Sequence, residues 1–362
     1  MKIANIILTS QNGGAEQVFI DYMITLKNLG HDLIAITKND APYAHKVSEL
    51  NIPLEKTSNR LGYHDFFAVR KIQKILQDSK TDAVFAHAGR ATVIAHKAIK
   101  RIKNKKIFLI SINHSMNVKR SIGSDVVLSV NKQIFFRTID AGRSENSSFV
   151  ISNIIDLDDA IFDAPKVDLS EKIIVTLGVI GRLDKVKGFY HVIHAMKKLT
   201  EISDKKFILK IAGAGYQEAF LRKLAKKLAV ENSVEFCGWI SDKKSFFNSI
   251  DIFILPSERE TFGLVLLEAM KFRKPIISTR ADGPKEILRD GIDALMIDAN
   301  PLDGLRNRIA EAALQLIGDP SLVNNLIENS FARLQKKFSY ESLEKALGEL
   351  VGQGSSNQIK YL

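Results

Sequence analysis

The sequence is poor in cysteine and in long apolar runs. Its single cysteine, Cys237, cannot form an internal disulfide or a cysteine-rich metal site, which fits a reducing compartment. Because Cys237 lies in the apolar run VEFCGW, we expect a buried, inert thiol. No stretch reaches the roughly 18 apolar residues of a membrane span, and the apolar start of the chain is too short for a signal peptide. We therefore expect a cytoplasmic protein.

Several motifs of metal and cofactor enzymes are also absent. The sequence contains no HExxH, CxxC or GxSxG motif. Gly213 and Gly215 form only a shortened version of the GxGxxG turn and do not follow the first strand, which argues against a dinucleotide-dependent dehydrogenase. We therefore expect neither a metal nor a cofactor.

Positive charge is in excess, with a net charge of +11 that is spread over both halves of the chain. One segment, residues 97–106, is densely basic, and it contains Lys97, Lys100, Arg101, Lys103, Lys105 and Lys106. Nucleic acid and an anionic membrane surface are two partners that such a segment can attract, and a solvated helix end is the alternative. No aromatic residue lies within the segment, so we expect no nucleic-acid partner.

Short apolar runs alternate with longer amphipathic stretches along the chain. Apolar strands joined by helices are typical of a parallel sheet that is covered on both faces. In the first half, strands are predicted at 3–8, 32–37, 82–86, 106–112, 125–130 and 148–152. In the second half they are predicted at 172–179, 207–212, 234–237, 251–255, 275–279 and 294–298, with helices at about 188–200, 216–229, 242–249, 263–272 and 302–318.

The pattern restarts after the polar segment 163–172, which we interpret as an interdomain linker. We predict an α/β fold with two Rossmann-like, doubly wound parallel-sheet domains that face a cleft. The first domain is predicted at 1–165 and the second at 166–338, followed by a helix and tail at 339–362. Open parallel sheets bind ligands outside the carboxyl ends of their strands, so we expect a ligand between the domains.

Two glutamates follow the predicted strand 251–255. Glu260 lies in the turn after the strand, and Glu268 lies eight residues later. A continuous helix would separate them by roughly 12 Å along its axis, which is too far for a general acid and base acting on one bond. This spacing suits contacts with both ends of a long polyhydroxylated ligand. Considered alone, however, the pair is more typical of charges that cap and solvate a helix.

The segment GRLDKVKG (181–188) follows the first predicted strand of the second domain. Gly181 permits a tight turn, and Gly188 allows a helix to begin close to the sheet. Arg182 and Lys187 place two cations near a helix N-terminus, where they could neutralise a diphosphate without a metal. A solvated basic turn is the alternative interpretation.

The first predicted domain offers weaker signals. Gly13 and Gly14 expose backbone amides at the end of the first strand, where a phosphate or sugar could approach, although such turns often need glycine for geometry alone. His87 and His114 each follow an apolar strand. A single histidine in such a place is more often structural than functional.

In combination, GRLDKVKG (181–188), PSERETFGLVLLEAMKFRKPIIST (256–279) and ADGPKEILRDG (281–291) resemble the retaining glycosyltransferases of family GT4, which have the two-domain GT-B fold. The resemblance covers essentially the whole chain. It implies metal-independent transfer of a hexose-type sugar from a UDP-, GDP- or ADP-sugar to a hydroxyl of a glycan or glycolipid. The family mechanism is a front-face displacement in which the acceptor attacks from the side that the diphosphate leaves.

The resemblance also implies roles for individual residues. Arg182 and Lys187 match the cations that hold the donor diphosphate. Glu260 matches the first glutamate of the E-x7-E motif, which contacts the donor sugar, and Glu268 matches the second, which holds the ribose hydroxyls. The other implied donor contacts are Gly13, Gly14, the backbone of Phe262, Gly263, Leu264 and Val265, the segment around Trp239, and His114.

Two other functions remain open at this stage. One is a nucleotide-sugar-binding scaffold without turnover, and the other is a sugar-nucleotide epimerase on the same fold. The basic segment 97–106 makes a lipid-linked acceptor, such as one in lipopolysaccharide, cell-envelope glycan or glycolipid synthesis, a further expectation. Such an enzyme would bind peripherally to the inner face of the cell membrane.

Overall fold

The computed structural model describes residues 1–11, 13–162, 165–300 and 302–352. The first two residues of the expected linker and the end of the predicted tail lie outside the described residues. The chain forms two compact units. The first consists of Met1–Ile154 together with the described residues from Ser339 onward, and the second is Ile155–Phe338.

The first unit is built on a seven-stranded parallel sheet in the order β3-β2-β1-β4-β5-β6-β7. Its strands are β1 Lys2–Ile7, β2 Asp32–Lys38, β3 Leu54–Thr57, β4 Ala83–His87, β5 Phe108–Asn113, β6 Val126–Ser129 and β7 Ser148–Val150. Its helices are α1 Gly14–Asn28, α2 Ala44–Glu49, α3 Phe66–Asp78, α4 Ala88–Ile99, α5 Lys132–Asp140 and, from the end of the chain, α13 Tyr340–Val351.

Both faces of this sheet are covered by apolar side chains. One core contains residues of α1, α2, α5 and α13, and the other contains residues of α3 and α4. The central strands β1 and β4 are buried almost throughout, which explains why their sequences are continuous apolar runs. Helix α13 is tied to α1 by hydrogen bonds from Tyr340 to Asp21 and from Asn28 to Glu344.

The second unit has a six-stranded parallel sheet in the order β10-β9-β8-β11-β12-β13. Its strands are β8 Ile174–Ile180, β9 Lys206–Ala212, β10 Val234–Gly238, β11 Ile252–Leu255, β12 Ile276–Thr279 and β13 Leu295–Ile297. Its helices are α6 Phe189–Ile202, α7 Glu218–Lys227, α8 Lys243–Asn248, α9 Leu264–Lys271, α10 Asp282–Ile287, α11 Leu302–Gly318 and α12 Pro320–Lys337. Two apolar cores cover the sheet, so this unit is also doubly wound.

The second unit begins earlier in the chain than the expected boundary at 165/166. Ile155, Leu157 and Ile161 pack against one of its apolar cores, and Arg273 donates a hydrogen bond from Nε to the carbonyl oxygen of Ile161, at 2.5 Å. The polar segment that follows, 165–172, therefore forms a largely exposed stretch within this unit.

Three elements were missing from the sequence-based prediction. Strand β3 is an edge strand whose two middle residues are exposed, so it lacks an apolar run. Helix α10 is only six residues long, which is too short to show a helical pattern of apolar residues. Helix α12 was overlooked, although Asp319 and Pro320 form a standard start, with the Asp319 carboxylate accepting from the amide of Leu322.

The expectation of a buried thiol at Cys237 was wrong, because the side chain is exposed. Strand β10 is the edge strand of its sheet, and alternate residues such as Glu235 and Cys237 point away from the core. In the part of the chain that the structure describes, no helix has the length and apolar character needed to cross a membrane.

Candidate active site

The site of the second unit lies where its strand order reverses. Strands β8 and β11 are neighbours at the centre of the sheet, and the chain leaves them in opposite lateral directions. The loop after β8 contains residues 181–188, and the loop after β11 contains residues 256–263. Open α/β sheets bind ligands at such a reversal. The fold therefore brings the two strongest sequence motifs together at the carboxyl ends of the central strands.

The two loops are in direct contact. Gly188 has a left-handed backbone (φ 68°), and a Cβ atom there would lie only 2.2 Å from the carbonyl oxygen of Pro256. The amide of Glu258 donates to the carbonyl oxygen of Val186 at 2.9 Å. Glycine at position 188 therefore allows the loops to approach closely, and α6 begins immediately after it.

Lys187 and Glu260 form an ion pair across this contact. The distance from Lys187 Nζ to Glu260 Oε2 is 2.6 Å, and the two side chains are only 19% and 13% exposed. The sequence predicted both residues for the site but did not predict that they pair. A half-buried cation and carboxylate at the carboxyl ends of these strands can bind one ligand together, the cation through an anionic group and the carboxylate through a hydroxyl group.

A second link between the same loops was missed by the sequence analysis. Tyr190 donates a hydrogen bond from its hydroxyl to Glu258 Oε1, at 2.6 Å. The buried His191 places Nε2 at 3.7 Å from the same carboxylate oxygen. Burial and the adjacent Glu258 carboxylate raise the pKa of Tyr190 above its ordinary value. The only signal for this link in the sequence is proximity to the predicted site residues. Tyr190 lies three residues after Lys187, and Glu258 lies two residues before Glu260.

Glu268 lies within α9, whereas Glu260 lies in the loop before it. The sequence-based separation along a continuous helix therefore does not apply to this pair, because the helix begins only at Leu264. Glu268 forms an ion pair with Lys243, the first residue of α8. The sequence did not identify this partner. Burial raises the pKa of Glu268 above its ordinary value, against the opposing effect of the Lys243 ammonium group.

Arg182 and Trp239, two other predicted donor contacts of this unit, have exposed side chains. The Arg182 side chain is 77% exposed, and its guanidinium lies 3.2 Å from the Asp184 carboxylate. Trp239 follows edge strand β10 and is 66% exposed. Both side chains are accessible to a ligand.

The segment Phe262–Val265 joins the loop to α9. The ring of Phe262 is buried and packs edge-on against Phe338, so only its backbone is available for binding. Gly263 adopts a left-handed backbone (φ 96°) directly before the first helical residue, Leu264. This arrangement leaves the amides at the start of α9 near Glu260, whose Cγ lies 3.3 Å from the position of a Cβ on Gly263.

In the first unit, His87 and His114 lie together where the strand order reverses between β1 and β4. His87 is the last residue of β4, and its Nδ1 lies 3.2 Å from His114 Nε2 with the rings stacked. Burial lowers the pKa of His114 to about 4. Burial, together with His114, lowers the pKa of His87 well below its usual value. Both imidazoles are therefore neutral at pH 7.

Gly13 and Gly14 lie at the start of α1. Gly13 precedes the helix with an extended backbone, and its carbonyl oxygen accepts from the amide of Gln17. A Cβ atom on Gly13 would lie 3.3 Å from Oε2 of the buried Glu16. Within the ranges that the structure describes, no group of three His, Cys, Asp or Glu residues could hold a metal ion.

The chain is similar to known glycosyltransferases. Residues 159–333 match the family model described as glycosyl transferases group 1. The chain is 27% identical over 344 residues to the lipopolysaccharide core biosynthesis glycosyltransferase LpsE of Rhizobium meliloti, covering 94% of this chain and 96% of that protein. It is 25% identical over 358 residues to N-acetyl-alpha-D-glucosaminyl L-malate synthase of Bacillus anthracis, covering 91% of each chain.

A solved structure with the same fold is that of Anabaena Alr3699/HepE in complex with UDP and glucose. It has a TM-score of 0.80 and 20% sequence identity, over 96% of this chain and 98% of that chain. The two doubly wound sheets therefore define a glycosyltransferase fold of the GT-B class. The family match over residues 159–333 and the similarity to LpsE over nearly the whole chain confirm the family resemblance seen in the motifs.

Proposed function

We propose that this glycosyltransferase moves a hexose-type sugar from a nucleotide diphosphate sugar to a hydroxyl acceptor, without a metal and with retention of configuration, as in family GT4. The observation that carries the proposal is the Lys187–Glu260 ion pair, which lies beyond the carboxyl ends of the central strands β8 and β11. Its two members are the residue types that a donor requires, a cation for the diphosphate and a carboxylate for the sugar hydroxyls.

The proposed roles follow from charge and accessibility. Lys187, joined by the accessible Arg182, would stabilise the negative charge that develops on the leaving diphosphate. Glu260 would accept hydrogen bonds from the donor sugar, and Glu268 from the ribose hydroxyls. The Lys187–Glu260 pair would then exchange its internal contact for contacts with the donor, so that neither charge is left unpaired.

The proposal for the donor starts from UDP-sugars. The HepE structures contain UDP, UDP with glucose, or UDP-glucose. This chain shares their fold, which supports a nucleotide-sugar donor and makes uracil the first base to test, ahead of guanine and adenine. Trp239 and the first-unit residues Gly13, Gly14 and His114 are proposed donor contacts.

For the acceptor we propose a lipid-linked or lipopolysaccharide-type glycan. The name of LpsE, which covers nearly the same length, supports this choice. The name of the Bacillus anthracis relative points to a small acid, L-malate, as an acceptor at similar identity. The exposed basic residues of segment 97–106 favour the lipid-linked alternative, with the protein bound peripherally at an anionic membrane.

A screen of donors tests the proposal directly. The purified chain would be mixed with UDP-, GDP- and ADP-hexoses, and binding would be followed by the shift in melting temperature. We expect one nucleotide family to stabilise the protein, and we expect slow release of the nucleoside diphosphate that accelerates with a glycan acceptor. The anomeric configuration of the product, read by NMR, distinguishes retention from inversion.

Two results would contradict the proposal. Donor binding without hydrolysis or transfer to any acceptor would favour the non-catalytic scaffold. Conversion of one nucleotide sugar into its epimer, with the nucleotide still attached, would favour an epimerase. A Glu260→Gln variant serves as the control, since it should retain the fold and lose sugar transfer.

A further inference from the structure

The first unit carries exposed apolar side chains that the proposed chemistry does not use. Leu61, Phe66 and Phe67 lie within seven residues of one another and are 63%, 46% and 73% exposed. The rings of Phe66 and Phe67 meet edge-on with centroids 6.2 Å apart, at the first turn of α3. Clustered aromatic side chains of this kind on a protein surface mark an interaction site.

Basic side chains from α4 and the chain after it contact Phe66 and the neighbouring Tyr63. The Arg101 guanidinium lies over the ring of Phe66, 4.7 Å from its centroid. Lys97 donates from Nζ to the carbonyl oxygen of Tyr63 at 2.8 Å, and Arg120 lies over the ring of Tyr63 at 4.0 Å. We call this set the aromatic–basic surface, and its members are Leu61, Tyr63, Phe66, Phe67, Lys97, Arg101 and Arg120.

Negative charge is missing from the sequence that builds this surface. Residues 83–124 contain nine Lys and Arg residues and no Asp or Glu. Between residues 56 and 77 the sole acidic residue is Asp65. That carboxylate is buried and accepts hydrogen bonds from the amides of Ala68 and Leu61, so it caps α3 instead of facing the surface.

We propose that the aromatic–basic surface docks on an anionic phospholipid membrane, with Phe66, Phe67 and Leu61 inserted among the headgroups. This inference extends the membrane contact proposed above, which rested on charge alone. The lysine and arginine side chains attract the protein surface to the anionic membrane from a distance. Aromatic rings at the level of the headgroups add an attraction that salt does not screen. The proposal depends on no residue of the donor site.

The structure favours a membrane over nucleic acid. Tertiary folding does bring aromatic rings beside the basic segment, although none lies within residues 97–106 themselves. Stacking of bases requires free aromatic faces. Arg101 covers a face of Phe66, Arg120 covers a face of Tyr63, and the two phenylalanine rings are nearly perpendicular, so no continuous stacking platform is available.

Vesicle sedimentation tests this inference with the full chain. The probes are phosphatidylcholine vesicles with and without phosphatidylglycerol, at low and high NaCl. We expect binding to the anionic vesicles, with a fraction that persists at high salt. Phe66→Ser/Phe67→Ser should remove that fraction, whereas Lys97→Ala/Arg101→Ala should weaken low-salt binding roughly fivefold for each charge removed.

Matched variants control for the loss of any aromatic or any charge. Phe136→Ser removes an exposed phenylalanine that also meets a neighbouring ring, and Lys226→Ala/Lys227→Ala removes two exposed charges of α7. Neither should change vesicle binding. Thermal melting checks that every variant is folded, and release of nucleoside diphosphate from the donor should be unchanged in all of them, which separates this inference from the proposed chemistry.

A direct measurement of insertion completes the test. Phe67→Trp in a Trp239→Phe background gives a single indole whose emission should shift to the blue on anionic vesicles and be quenched by brominated lipid. The inference is overturned if the indole stays water-exposed, if all binding is lost at high salt and is indifferent to the phenylalanine variants, or if single-stranded RNA or a second copy of the chain occupies the surface in preference to vesicles.

Discussion

Lys187 and Glu260 face each other across two loops that are far apart in sequence, with 2.6 Å between Nζ and Oε2. Each residue neutralises the charge of the other. The same loops are joined by the Tyr190–Glu258 hydrogen bond and by the close approach of Gly188 to Pro256. The proposed cation and carboxylate of the donor site are thus held in place by the contact between the loops, which gives the site a fixed geometry.

Replacing either member of the pair should strongly reduce transfer while leaving the protein folded. Lys187→Ala and Glu260→Ala are each expected to lower kcat by about 10²–10³-fold, the usual loss for a group that stabilises transition-state charge. Each should also lower the free energy of unfolding by about 1–3 kcal/mol, because one half-buried charge loses its partner. Transfer assays and chemical denaturation measure the two effects.

The double variant Lys187→Ala/Glu260→Ala tests whether the pair acts as a unit. Because both charges are gone, its stability loss should be smaller than the sum of the two single losses. Additive losses would show that the ion pair is not coupled. Normal turnover with unchanged melting in either single variant would refute the assignment of the site.

The two glutamates of the E-x7-E motif should affect different parts of the donor. If Glu268 holds the ribose, Glu268→Gln weakens binding of the free nucleoside diphosphate by about 10–100-fold, the loss expected for hydrogen bonds to a charged group. Glu260→Gln should not weaken that affinity, because the free nucleotide carries no donor sugar and Lys187 remains available to the diphosphate. Isothermal titration calorimetry measures both affinities.

Glu235→Gln is the control for this comparison. Glu235 is an exposed carboxylate on strand β10 that lies 3.8 Å from Lys210, and it should have no effect on nucleotide affinity. Equal nucleotide affinities in wild type and Glu268→Gln would contradict the ribose role.

The two doubly wound sheets could be predicted from the sequence because both faces of each sheet are covered. Buried strands such as β4 and β11 are continuous apolar runs, and helices separate them at regular spacing. Edge strands lack this signal. The short strand β3 was missed for that reason, and the exposure of Cys237 on β10 was misjudged, since the apolar run there borders solvent on one side.

The residue types of the site could be predicted, but their pairings could not. The two sequence motifs place Lys187 and Glu260 in two different loops. The contact between those loops depends on the strand order, which places β8 beside β11. Glu258, Tyr190 and Lys243 have no motif of their own and were recognised from the structure. For the same reason, the aromatic residues beside segment 97–106 were invisible until α3 and α4 were seen to pack together.

The contact between the loops can be tested at Gly188, with Gly291 as a matched control. Both glycines have a left-handed backbone with φ 68°, but a Cβ atom on Gly291 would meet nothing within 4 Å. Gly291→Ala should therefore cost only the backbone strain, about 1–2 kcal/mol of stability. Gly188→Ala should cost about 1–3 kcal/mol more, because the new methyl group collides with the carbonyl of Pro256.

The Gly188→Ala variant should also lose transfer activity, since the loops that carry Lys187 and Glu260 must separate to relieve the collision. Gly291→Ala should keep its activity. Denaturation curves and donor turnover are measured side by side for both variants. Equal stability losses in the two variants would mean that the loops can separate freely, and the fixed geometry of the donor site would then be disproved.

The histidine pair of the first unit should make stability depend on pH. Burial holds the pKa of His114 at about 4, below the ordinary value of 6.5, so the folded state binds this proton more weakly than the unfolded chain does. The stabilising effect of neutral His114 is therefore complete above pH 6.5 and is lost as the pH falls through 4. At about 1.4 kcal/mol for each pKa unit, the total loss is roughly 3 kcal/mol.

His114→Gln should remove this contribution. The difference in unfolding free energy between pH 7 and pH 4.5 should shrink by roughly 1–3 kcal/mol relative to wild type, the size of the shift in that interval. It should not shrink in His45→Gln, which replaces an exposed histidine of α2 and controls for losing an imidazole. Because carboxylates also titrate in this range, the comparison between variants carries the result. If wild type and His114→Gln lose stability equally on acidification, His114 does not titrate from a buried, neutral state, and its stacking on His87 has no part in the acid response of the fold.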